Sequence, residues 1–585
     1  MGIENSEQSE YEQPEEISLA DQEKQEAEPT KKPKTLIFDT PFHADPETAK
    51  QALDDSGMQK EIPRGALSVA TLLERRGFEA SVVPMDAFLS QEFMKGGEER
   101  ERLLKEFYEE EAPKETRELQ QKVIDEAFFI TKMRENLHRL IEEVNPQVIA
   151  FSYMFSPTER SIRAMVRYIR ENFPDKTIVL GGNAVSFDDD SRETFLDPSK
   201  NLGADVIVNG EGEWTMLDVV ESLEQAEDDK TKLDLSQIPG ISYWDGEKVV
   251  DSVSERKRGD PIEIGPLSYN KIILPEGVNM GDFNHYVLFA RGCMGRCAFC
   301  TSLEMYRRVV SSIGLESYRQ ELDFVARSVH EKEGGEKTVG LLDDDLLLEL
   351  GLDAEGNVTR EESEIVERKT VFEIVEPILR DIHQRYPDIQ FTAQARVGHL
   401  RENDTDEKNI LNPEANTKIE KPDEVLRKMK EVGINLVFLG IENGSQEILD
   451  TSRKDTKIDW IKPACRKIKN AGIEVGAFWI VGLPGATYER EKQSLEFLQE
   501  LIDEGLIDQL ESHVFVPLPG SASRKQKSIV GTMKLDEDFE TKRQSLFNET
   551  PTYEYIDPKT GRVVFSKTQI TELFNETVNL GKKLK

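Results

Sequence analysis

Hydrophobic and polar residues follow one another along this 585-residue chain in blocks that predict repeated strand–helix units. Short apolar runs predict buried strands, and the amphipathic segments between them predict helices. In the first half of the chain the predicted strands are residues 34–40, 77–86, 146–152, 177–180 and 204–208. Alternation of this kind is typical of a parallel sheet with helices on both faces, so we predict a doubly wound α/β domain.

The second half of the chain shows the same alternation, and its predicted strands run into loops with polar or glycine residues. These strand-and-loop segments are residues 285–293, 338–345, 389–396, 435–445, 472–485 and 513–521. Strand–helix units in this order are typical of a partial or complete β/α barrel. The chemistry of such a barrel is carried by the loops that follow the strands.

The pattern divides the chain into five parts. The first 33 residues include ten acidic and three basic residues and few large apolar ones, a composition that predicts disorder. The charged stretch 96–143 has helical spacing, and we interpret it as an elaboration of the first domain. The parts are a disordered acidic tail (1–33), the doubly wound domain (34–235), a linker with a hairpin (236–280), the barrel (281–525) and a C-terminal extension (526–585).

The charge of the chain excludes some partners. Its formal net charge is −38, and phosphate binding depends on Lys and Arg, so we expect no nucleic-acid partner. The sequence has no apolar run of about eighteen residues, so we expect no membrane span. With only four cysteines, a disulfide framework is not indicated, and we expect a cytoplasmic protein in a reducing compartment.

Three of the four cysteines lie within eight positions. Cys293, Cys297 and Cys300 have CxxxCxxC spacing, which lets one short loop bring three thiolates to an iron–sulfur cluster. A [4Fe–4S] cluster has four corners, so three local ligands leave one iron open for a cofactor or substrate. The alternative is a closed zinc site with Cys465 or a histidine as the fourth ligand.

The cysteine loop, with Phe299 directly before the third cysteine, resembles the motif of the radical SAM superfamily. The resemblance implies that the open iron binds S-adenosylmethionine and that an electron from the cluster cleaves its sulfonium to a 5′-deoxyadenosyl radical. It also implies a small-molecule or lipid-like substrate and an electron donor such as flavodoxin or ferredoxin.

Further residues match the later motifs of this superfamily. Gln394 and Arg396 are two apart on a predicted strand and therefore share a face. Arg396 can pair with the carboxylate of S-adenosylmethionine, although a structural salt bridge explains an arginine here equally well. By resemblance, the paired acids Asp343 and Asp344 face the active site, and Glu442 holds the amino group or ribose of the cofactor.

Each of the remaining matches, taken alone, is weaker support for the resemblance. Gly482 and Pro484 belong to a Gly-Leu-Pro-Gly turn, where small residues would let the backbone approach the adenine. Lys454 stands at about the position of a lysine that is common in relatives, and a surface residue is the alternative interpretation. Cys465 lies in a predicted helix and is interpreted as a core or surface thiol.

The first domain resembles the Rossmann-like cobalamin-binding domain that precedes the barrel in many radical SAM proteins. The resemblance rests on Gly181 and Gly182, on residues 204–213 and on the hairpin at 239–250. It implies a cobalamin cofactor. The DxHxxG motif that supplies a histidine to cobalt is absent, so a domain that no longer binds a corrinoid is the alternative.

These matches lead to one main hypothesis and two alternatives. The main hypothesis is a radical SAM enzyme that methylates an unactivated carbon with cobalamin as methyl donor. A radical cyclase or rearrangement enzyme without methyl transfer is the second, and a non-catalytic zinc-binding scaffold is the third. Methylthio transfer is disfavoured because only Cys465 remains for an auxiliary cluster.

Overall fold

The structure is a computed structural model of the full chain. The residues that it describes are 32–39, 60–89, 130–154, 159–200, 202–252, 259–402, 417–525, 533–535, 551 and 553–584. The acidic tail up to residue 31 and most of the charged stretch, 96–129, lie outside the described residues. The end of that stretch, 130–144, is helical as predicted.

The elements are numbered here in chain order. The strands are β1 Thr35–Asp39, β2 Lys60–Glu61, β3 Ala80–Pro84, β4 Val148–Ser152, β5 Thr177–Gly181, β6 Val206–Val208, β7 Ile241–Trp244, β8 Val249–Asp251, β9 Phe283–Val287, β10 Ala290–Arg291, β11 Ser311–Ser312, β12 Thr338–Leu341, β13 Glu349–Leu352, β14 Val358–Thr359, β15 Glu367–Thr370, β16 Gln390–Ala395, β17 Ile434–Glu442, β18 Glu474–Val481, β19 Gln509–Val514, β20 Met533–Leu535, β21 Tyr553–Ile556 and β22 Val563–Phe565. The helices are α1 Arg64–Arg75, α2 130–144, α3 Glu159–Asn172, α4 Asn183–Ser186, α5 Asp189–Leu196, α6 Glu213–Gln225, α7 Ser302–Tyr306, α8 Leu315–His330, α9 Val371–Arg385, α10 Pro422–Glu431, α11 Gln446–Thr451, α12 Ile458–Asn470, α13 Tyr488–Asp503, α14 Ala522–Lys525 and α15 Lys567–Gly581.

The first sheet has seven strands in the order β3-β1-β4-β5-β6-β7-β8. Its first five strands are parallel, and the strand β4 is buried at four of its five residues. Such near-continuous burial is expected of a strand covered by helices on both faces. The predicted doubly wound domain is therefore confirmed.

The hairpin β7–β8 belongs to this sheet. We assigned it to a linker between the two domains, but β7 pairs antiparallel with β6, through Val208 and Ile241 among others. Pairing satisfies the backbone groups of β6, which would otherwise form an open sheet edge. The hairpin therefore extends the first sheet.

The second sheet also has seven strands, in the order β19-β18-β17-β16-β12-β9-β2, and all its pairs are parallel. Six strands follow their order in the sequence, while the edge strand β2 comes from the first half of the chain. Among the described residues, β2 and β19 do not pair with one another. The barrel is thus partial, as one of the two predicted forms.

The two faces of the second sheet differ in chemistry. On β16, β17 and β18 one set of alternating side chains, including Phe391, Val437 and Trp479, is fully buried in the main hydrophobic core. The other set, including Gln394, Phe438 and Phe478, is half-buried. We call this second set the lumen face, because it lies on the inner side of the partial barrel.

Two elements surround this sheet. Strands β13, β14 and β15 form a small antiparallel sheet between β12 and α9, an insertion that the strand–helix pattern did not predict. The C-terminal hairpin β21–β22 and the closing helix α15 are present as predicted, and α15 packs on α13 and β19. In the part of the chain that the structure describes, no helix is long and apolar enough to cross a membrane.

Candidate active site

The three clustered cysteines lie on a loop at the carboxyl end of the second sheet. The loop begins after β10 and ends at α7, and its chain is held from two sides. The amide of Ala298 donates to the carbonyl of Ser452 at 2.8 Å, and the amide of Ser523 donates to the carbonyl of Ala298 at 2.8 Å. The loops after β17 and β19 therefore fix the middle of the cysteine loop.

The sulfurs receive hydrogen bonds from the loop itself. The amide of Gly295 donates to Sγ of Cys293 at 3.3 Å, and the amide of Ser302 donates to Sγ of Cys300 at 3.4 Å. Such bonds favour the thiolate over the thiol. The geometry thus suits sulfurs that act as metal ligands.

Arg396 supplies a positive charge at the same place. Its Nη1 donates to Sγ of Cys297 at 3.8 Å, and its Nη2 donates to the carbonyl of Lys454 at 2.8 Å. Burial raises the pKa of Cys293 to about 12, against an opposing effect of Arg396. Burial alone would lower the pKa of Arg396, but the sulfurs of Cys297 and Cys293 raise it. The guanidinium therefore stays charged and partly offsets the cost of burying thiolates.

The three acids after β12 have separate roles. Asp343 accepts from the amides of Phe289 and Ala290 at 3.1 and 2.7 Å, so it fixes the chain that enters the cysteine loop. Burial raises its pKa to about 7. The prediction that Asp343 and Asp344 both face the active site is wrong for Asp343, because its buried carboxylate is hydrogen-bonded to these two amides.

Asp344 points towards the cysteine loop. Its pKa is raised to about 6, first by desolvation and then by the neighbouring Asp345. Its charge in turn raises the pKa values of Cys293 and Tyr306, which places the carboxyl near both. Asp345 points away, to the buried ring of His399, with Oδ2 and Nε2 2.7 Å apart.

Glu442 ends β17 and pairs with Lys454. The distance from Nζ of Lys454 to Oε1 of Glu442 is 2.6 Å, and both residues are buried. Burial alone would lower the pKa of Lys454, but Glu442 raises it. The Lys454 ammonium also lies 6.0 Å from the ring centroid of Phe299 on the cysteine loop. The interpretation of Lys454 as a surface residue is therefore wrong.

The backbone of Glu442 is strained. Its φ of 67° lies in the left-handed region, which costs a residue with a side chain about 1–3 kcal/mol. The strand register also shifts between Gly440 and Glu442. A Cβ at Gly440 would come within 2.9 Å of the Glu442 carboxylate, so glycine there leaves room for this side chain. Strain of this kind commonly occurs at functional positions.

The turn after β18 is held by hydrogen bonds at both the amide and the carbonyl of Gly482. The amide of Gly482 donates to Oε1 of Glu491 at 2.8 Å, while its carbonyl accepts from the hydroxyls of Tyr553 and Tyr555 at 2.9 Å each. Gly482 has a φ of 83°, which favours glycine. The C-terminal hairpin, for which no ligand was predicted, therefore fixes this turn.

Pro484 in the same turn connects to the cysteine loop. Its carbonyl accepts from the hydroxyl of Ser452 at 3.2 Å, and the carbonyl of Ser452 accepts from Ala298. Arg396, Glu442, Gly482 and Pro484 thus lie around the carboxyl end of the second sheet together with the three cysteines.

A cavity of about 300 Å³ lies at the carboxyl end of the first sheet. Gly181 and Gly182 line it, and Gly182 has a φ of 108°. A Cβ at Gly182 would overlap the carbonyl of Tyr153. Elements beside the cysteine loop form the opposite wall, with the residues Leu288, Arg291, Met305, Tyr306 and Ile313.

One polar network joins the first domain to the cysteine loop. Nη1 of Arg291 donates to Oε1 of Glu213 at 2.5 Å, and Nη2 donates to the hydroxyl of Ser68 at 2.9 Å. The Ser68 hydroxyl donates to Glu213 at 2.7 Å. Burial alone would raise the pKa of Glu213, but Arg291 and Ser68 lower it. Arg291 is two residues before Cys293, so this network fixes the loop against α1 and α6.

The structure also bears on the zinc alternative. Cys465 is fully buried on α12 in the hydrophobic core, where burial raises its pKa to about 12. It is therefore a core thiol, which was the first of the two interpretations made from the sequence. In the described part of the chain, no three His, Cys, Asp or Glu side chains surround one point as a single metal ion would require.

Several site residues were not predicted from the sequence. Arg291 and Glu213 are 78 positions apart and come from different domains. Glu213 had one signal, because it ends a polar, glycine-rich segment after a predicted strand. Tyr553 and Tyr555 had none, because a β-hairpin pattern does not indicate what the hairpin contacts.

Comparison with known proteins agrees with this geometry. Residues 287–498 match the radical SAM superfamily. The chain is 25% identical over 392 residues to an uncharacterized methyltransferase of Pyrococcus horikoshii, a match that covers 66% of this chain and 70% of that protein. It is 24% identical over 361 residues to an anaerobic magnesium-protoporphyrin IX monomethyl ester cyclase of Cereibacter sphaeroides, covering 61% of this chain and 49% of the cyclase. The match therefore spans about half of the cyclase.

Two solved structures share the fold. The radical S-adenosylmethionine methyltransferase TsrM from Kitasatospora setae, with cobalamin and a [4Fe–4S] cluster bound, has a TM-score of 0.56 at 13% identity, covering 94% of this chain and 89% of that one. The cobalamin-dependent S-adenosylmethionine radical enzyme OxsB, with aqua-cobalamin and S-adenosylmethionine bound, has a TM-score of 0.57 at 16% identity, covering 93% and 66%.

The fold and the cysteine loop define a protein in which a doubly wound domain precedes a partial β/α barrel. Residues 287–498 of the chain form a radical SAM domain. The resemblance from sequence is therefore confirmed. A radical SAM domain is the domain of an enzyme and implies a [4Fe–4S] cluster and S-adenosylmethionine as cofactors.

Replacing Arg291 by Met or Glu213 by Gln should each destabilise the protein by about 3 kcal/mol, because each change leaves a buried partner without its counter-charge. The double variant should lose less free energy of unfolding than the two single variants lose in sum. Urea unfolding measures the coupling.

Because the pKa of Glu213 is lowered in the folded state, the coupling should be full above the ordinary pKa value of 4.5 and should be lost as the pH falls further. Additive effects at pH 7 would contradict this account.

Replacing both Tyr553 and Tyr555 by Phe should loosen the turn at Gly482, because its carbonyl then loses two buried donors worth about 1 kcal/mol each. Hydrogen–deuterium exchange of the peptide that spans the turn should accelerate several-fold. Tyr488→Phe is the control, since that hydroxyl makes only an exposed 3.4 Å contact to Glu572. Unchanged exchange in the double variant would show that the hairpin does not hold the turn.

Proposed function

We propose that this protein is a radical SAM enzyme that methylates an unactivated carbon of a small molecule with cobalamin as methyl donor. The observation that carries the proposal is the position of the cavity at the first sheet. One of its walls is built by the carboxyl ends of the first sheet and the other by residues that flank the cysteine loop. A ligand in the cavity would therefore lie beside the cluster site.

The cysteine loop fits a [4Fe–4S] cluster with one open iron. Three sulfurs, two loop amides and the Arg396 guanidinium lie on or beside this one loop, and they are ligands and hydrogen-bond donors suited to an anionic cluster. When bound, the cluster supplies the electron that cleaves S-adenosylmethionine. The role of the protein's own residues would be to hold the cluster at Cys293, Cys297 and Cys300 and to limit the access of water to the cluster.

Residues at the ends of four neighbouring strands would hold S-adenosylmethionine. Asp344 and Glu442 offer carboxylates to the amino group or ribose of the cofactor, and Arg396 offers a guanidinium to its carboxylate. The fixed turn at Gly482 and Pro484 would let the adenine lie against the backbone. Arg396 already contacts a sulfur and a carbonyl, so it would hold the cluster and the cofactor together.

The cavity at the first sheet suits a flat ligand. Six of its lining residues are glycines, so a ring can approach the backbone closely: Gly65, Gly181, Gly182, Gly210, Gly212 and Gly265. Apolar side chains such as Ile37 and Val179 provide most of the remaining surface. When bound, a corrinoid would supply the methyl group. The network of Arg291, Glu213 and Ser68 would keep this cavity and the cysteine loop at a fixed separation.

The proposed reaction needs a source of electrons and does not involve nucleic acid. An external one-electron donor such as flavodoxin or ferredoxin would reduce the cluster, and the acidic surface of the chain would keep nucleic acid away. Ring formation without methyl transfer is the second candidate, favoured by the likeness to the cyclase. The product separates the two, because only the first reaction replaces a hydrogen by a methyl group and so increases the mass by CH2.

The cysteine assignment is tested with four variants prepared without oxygen. Replacing Cys293, Cys297 or Cys300 by Ser should abolish the iron–sulfur absorption and 5′-deoxyadenosine formation under reducing conditions. Cys465→Ala is the matched control, and it should retain both. A loop variant that forms 5′-deoxyadenosine at the rate of the unchanged protein would contradict the assignment.

The corrinoid assignment is tested by filling the cavity. In Gly181→Leu the new side chain extends from a backbone that tolerates it, beside Val208, which also lines the cavity. We expect at least tenfold weaker binding of hydroxocobalamin by absorbance titration, with 5′-deoxyadenosine formation retained. Equal binding by the variant, or no binding by the unchanged protein, would contradict cobalamin as cofactor.

A further inference from the structure

The lumen face has an aromatic floor. The rings of Phe438 on β17 and Phe478 on β18 stack with centroids 4.9 Å apart. A Cβ at Gly476 would overlap the Phe438 ring, and a Cβ at Gly340 would overlap the Tyr286 ring. Two glycines thus let two rings lie flat over neighbouring strands. All three rings are half-buried, so each keeps an open surface on the lumen side.

Carboxylates stand at both edges of this floor. Glu61 on β2 pairs in register with Asn284 on β9, which places it on the same face as Tyr286. At the opposite edge, Glu511 on β19 pairs in register with Phe478. Both carboxylates are exposed. Burial, followed by the charges of Glu61 and Glu511, raises the pKa of Tyr286, so both acids lie near its hydroxyl.

Within the described residues, the cations near this face are few and already paired. Strands β9, β12 and β16 to β19 place no Lys or Arg on the lumen face within their described bounds. At the carboxyl end, Arg396 contacts Cys297 and Lys454 pairs with Glu442. His513 lies 3.2 Å from Glu511. The open part of the face therefore has a negative charge.

The floor leads directly to the cysteine site. Phe478 pairs in register with Gly440, which is two residues before Glu442 on β17. Two residues of a strand span about 7 Å. A small molecule that lies on the rings therefore reaches from the acidic edges to the end of the barrel where the cysteines lie.

We propose that the substrate is an organic cation, an amine or guanidine carried on an aromatic or other apolar body. The body lies on Phe438, Phe478 and Tyr286, and the positive group lies towards Glu511 and Glu61. Aromatic faces attract both apolar surface and cations, and the carboxylates add a direct charge partner. The inference rests on the proposed function, because it names the substrate class for that same site.

The test compares two probes with the same ring and opposite charge, 4-fluorophenethylamine and 3-(4-fluorophenyl)propionate. Their binding to the full-length protein with its cluster reconstituted is measured by fluorine NMR titration. We expect the amine to bind at least tenfold more tightly than the propionate. Glu511→Gln and Glu61→Gln should each weaken the amine three- to tenfold and leave the propionate unchanged or improved. Phe478→Leu should weaken both probes, because it removes part of the floor.

Glu500→Gln is the matched control. Glu500 is an exposed carboxylate on α13 that pairs with Lys462, which Glu504 also contacts, so this variant changes the net charge equally without touching the lumen. It should bind both probes as the unchanged protein does. Equal binding of the two probes, or equal effects of Glu511→Gln and Glu500→Gln, would overturn the inference. Because 5′-deoxyadenosine formation is measured separately, a failure here is distinguishable from a failure of the proposed function.

Discussion

The structure depends on holding three cysteine sulfurs as thiolates, one of them buried and two half-buried, at one end of an open parallel sheet. Burial alone works against this, since it raises the pKa of Cys293 to about 12. Opposing it are the guanidinium of Arg396 and the backbone amides of Gly295 and Ser302. These groups prepare the loop for a cluster, whose iron charge would complete the compensation. The surrounding contacts keep them in place.

Fixing that loop requires both halves of the chain. Asp343 holds the strand that enters it, the carbonyl of Ser452 holds its middle, and Arg291 ties its start to Glu213 in the first domain. A radical reaction that uses two cofactors needs their reacting groups at a set separation. The ion pair of Arg291 and Glu213 provides a link of this kind between the first domain and the cysteine loop.

Much of this could be predicted from the sequence, because it is local. The cysteine spacing, the strand that ends at Glu442 and the turn at Gly482 are each contained in one short segment. Asp343 and Asp344 were predicted as a pair from resemblance, and this was wrong for Asp343, whose carboxylate holds the chain that enters the cysteine loop. The interpretation of Lys454 as a surface residue was also wrong.

What could not be predicted depends on contacts between distant segments. The edge position of β2, the pairing of β7 with β6 and the hydroxyls of Tyr553 and Tyr555 on Gly482 are not encoded in any local period. A strand pattern states which face a residue occupies but not which element returns to cover it. The same holds for Lys454, whose partner Glu442 becomes apparent only when α11 folds back against the end of β17.

The central claim is that three cysteines leave one iron of the cluster open to S-adenosylmethionine. Electron paramagnetic resonance of the reduced, reconstituted protein tests it most directly, with S-adenosylmethionine labelled with ¹⁷O at the carboxylate or ¹⁵N at the amino group. The account predicts that the cofactor changes the cluster signal and that hyperfine coupling to both labels appears. A signal that stays the same when the cofactor is added, without coupling to either label, would contradict it.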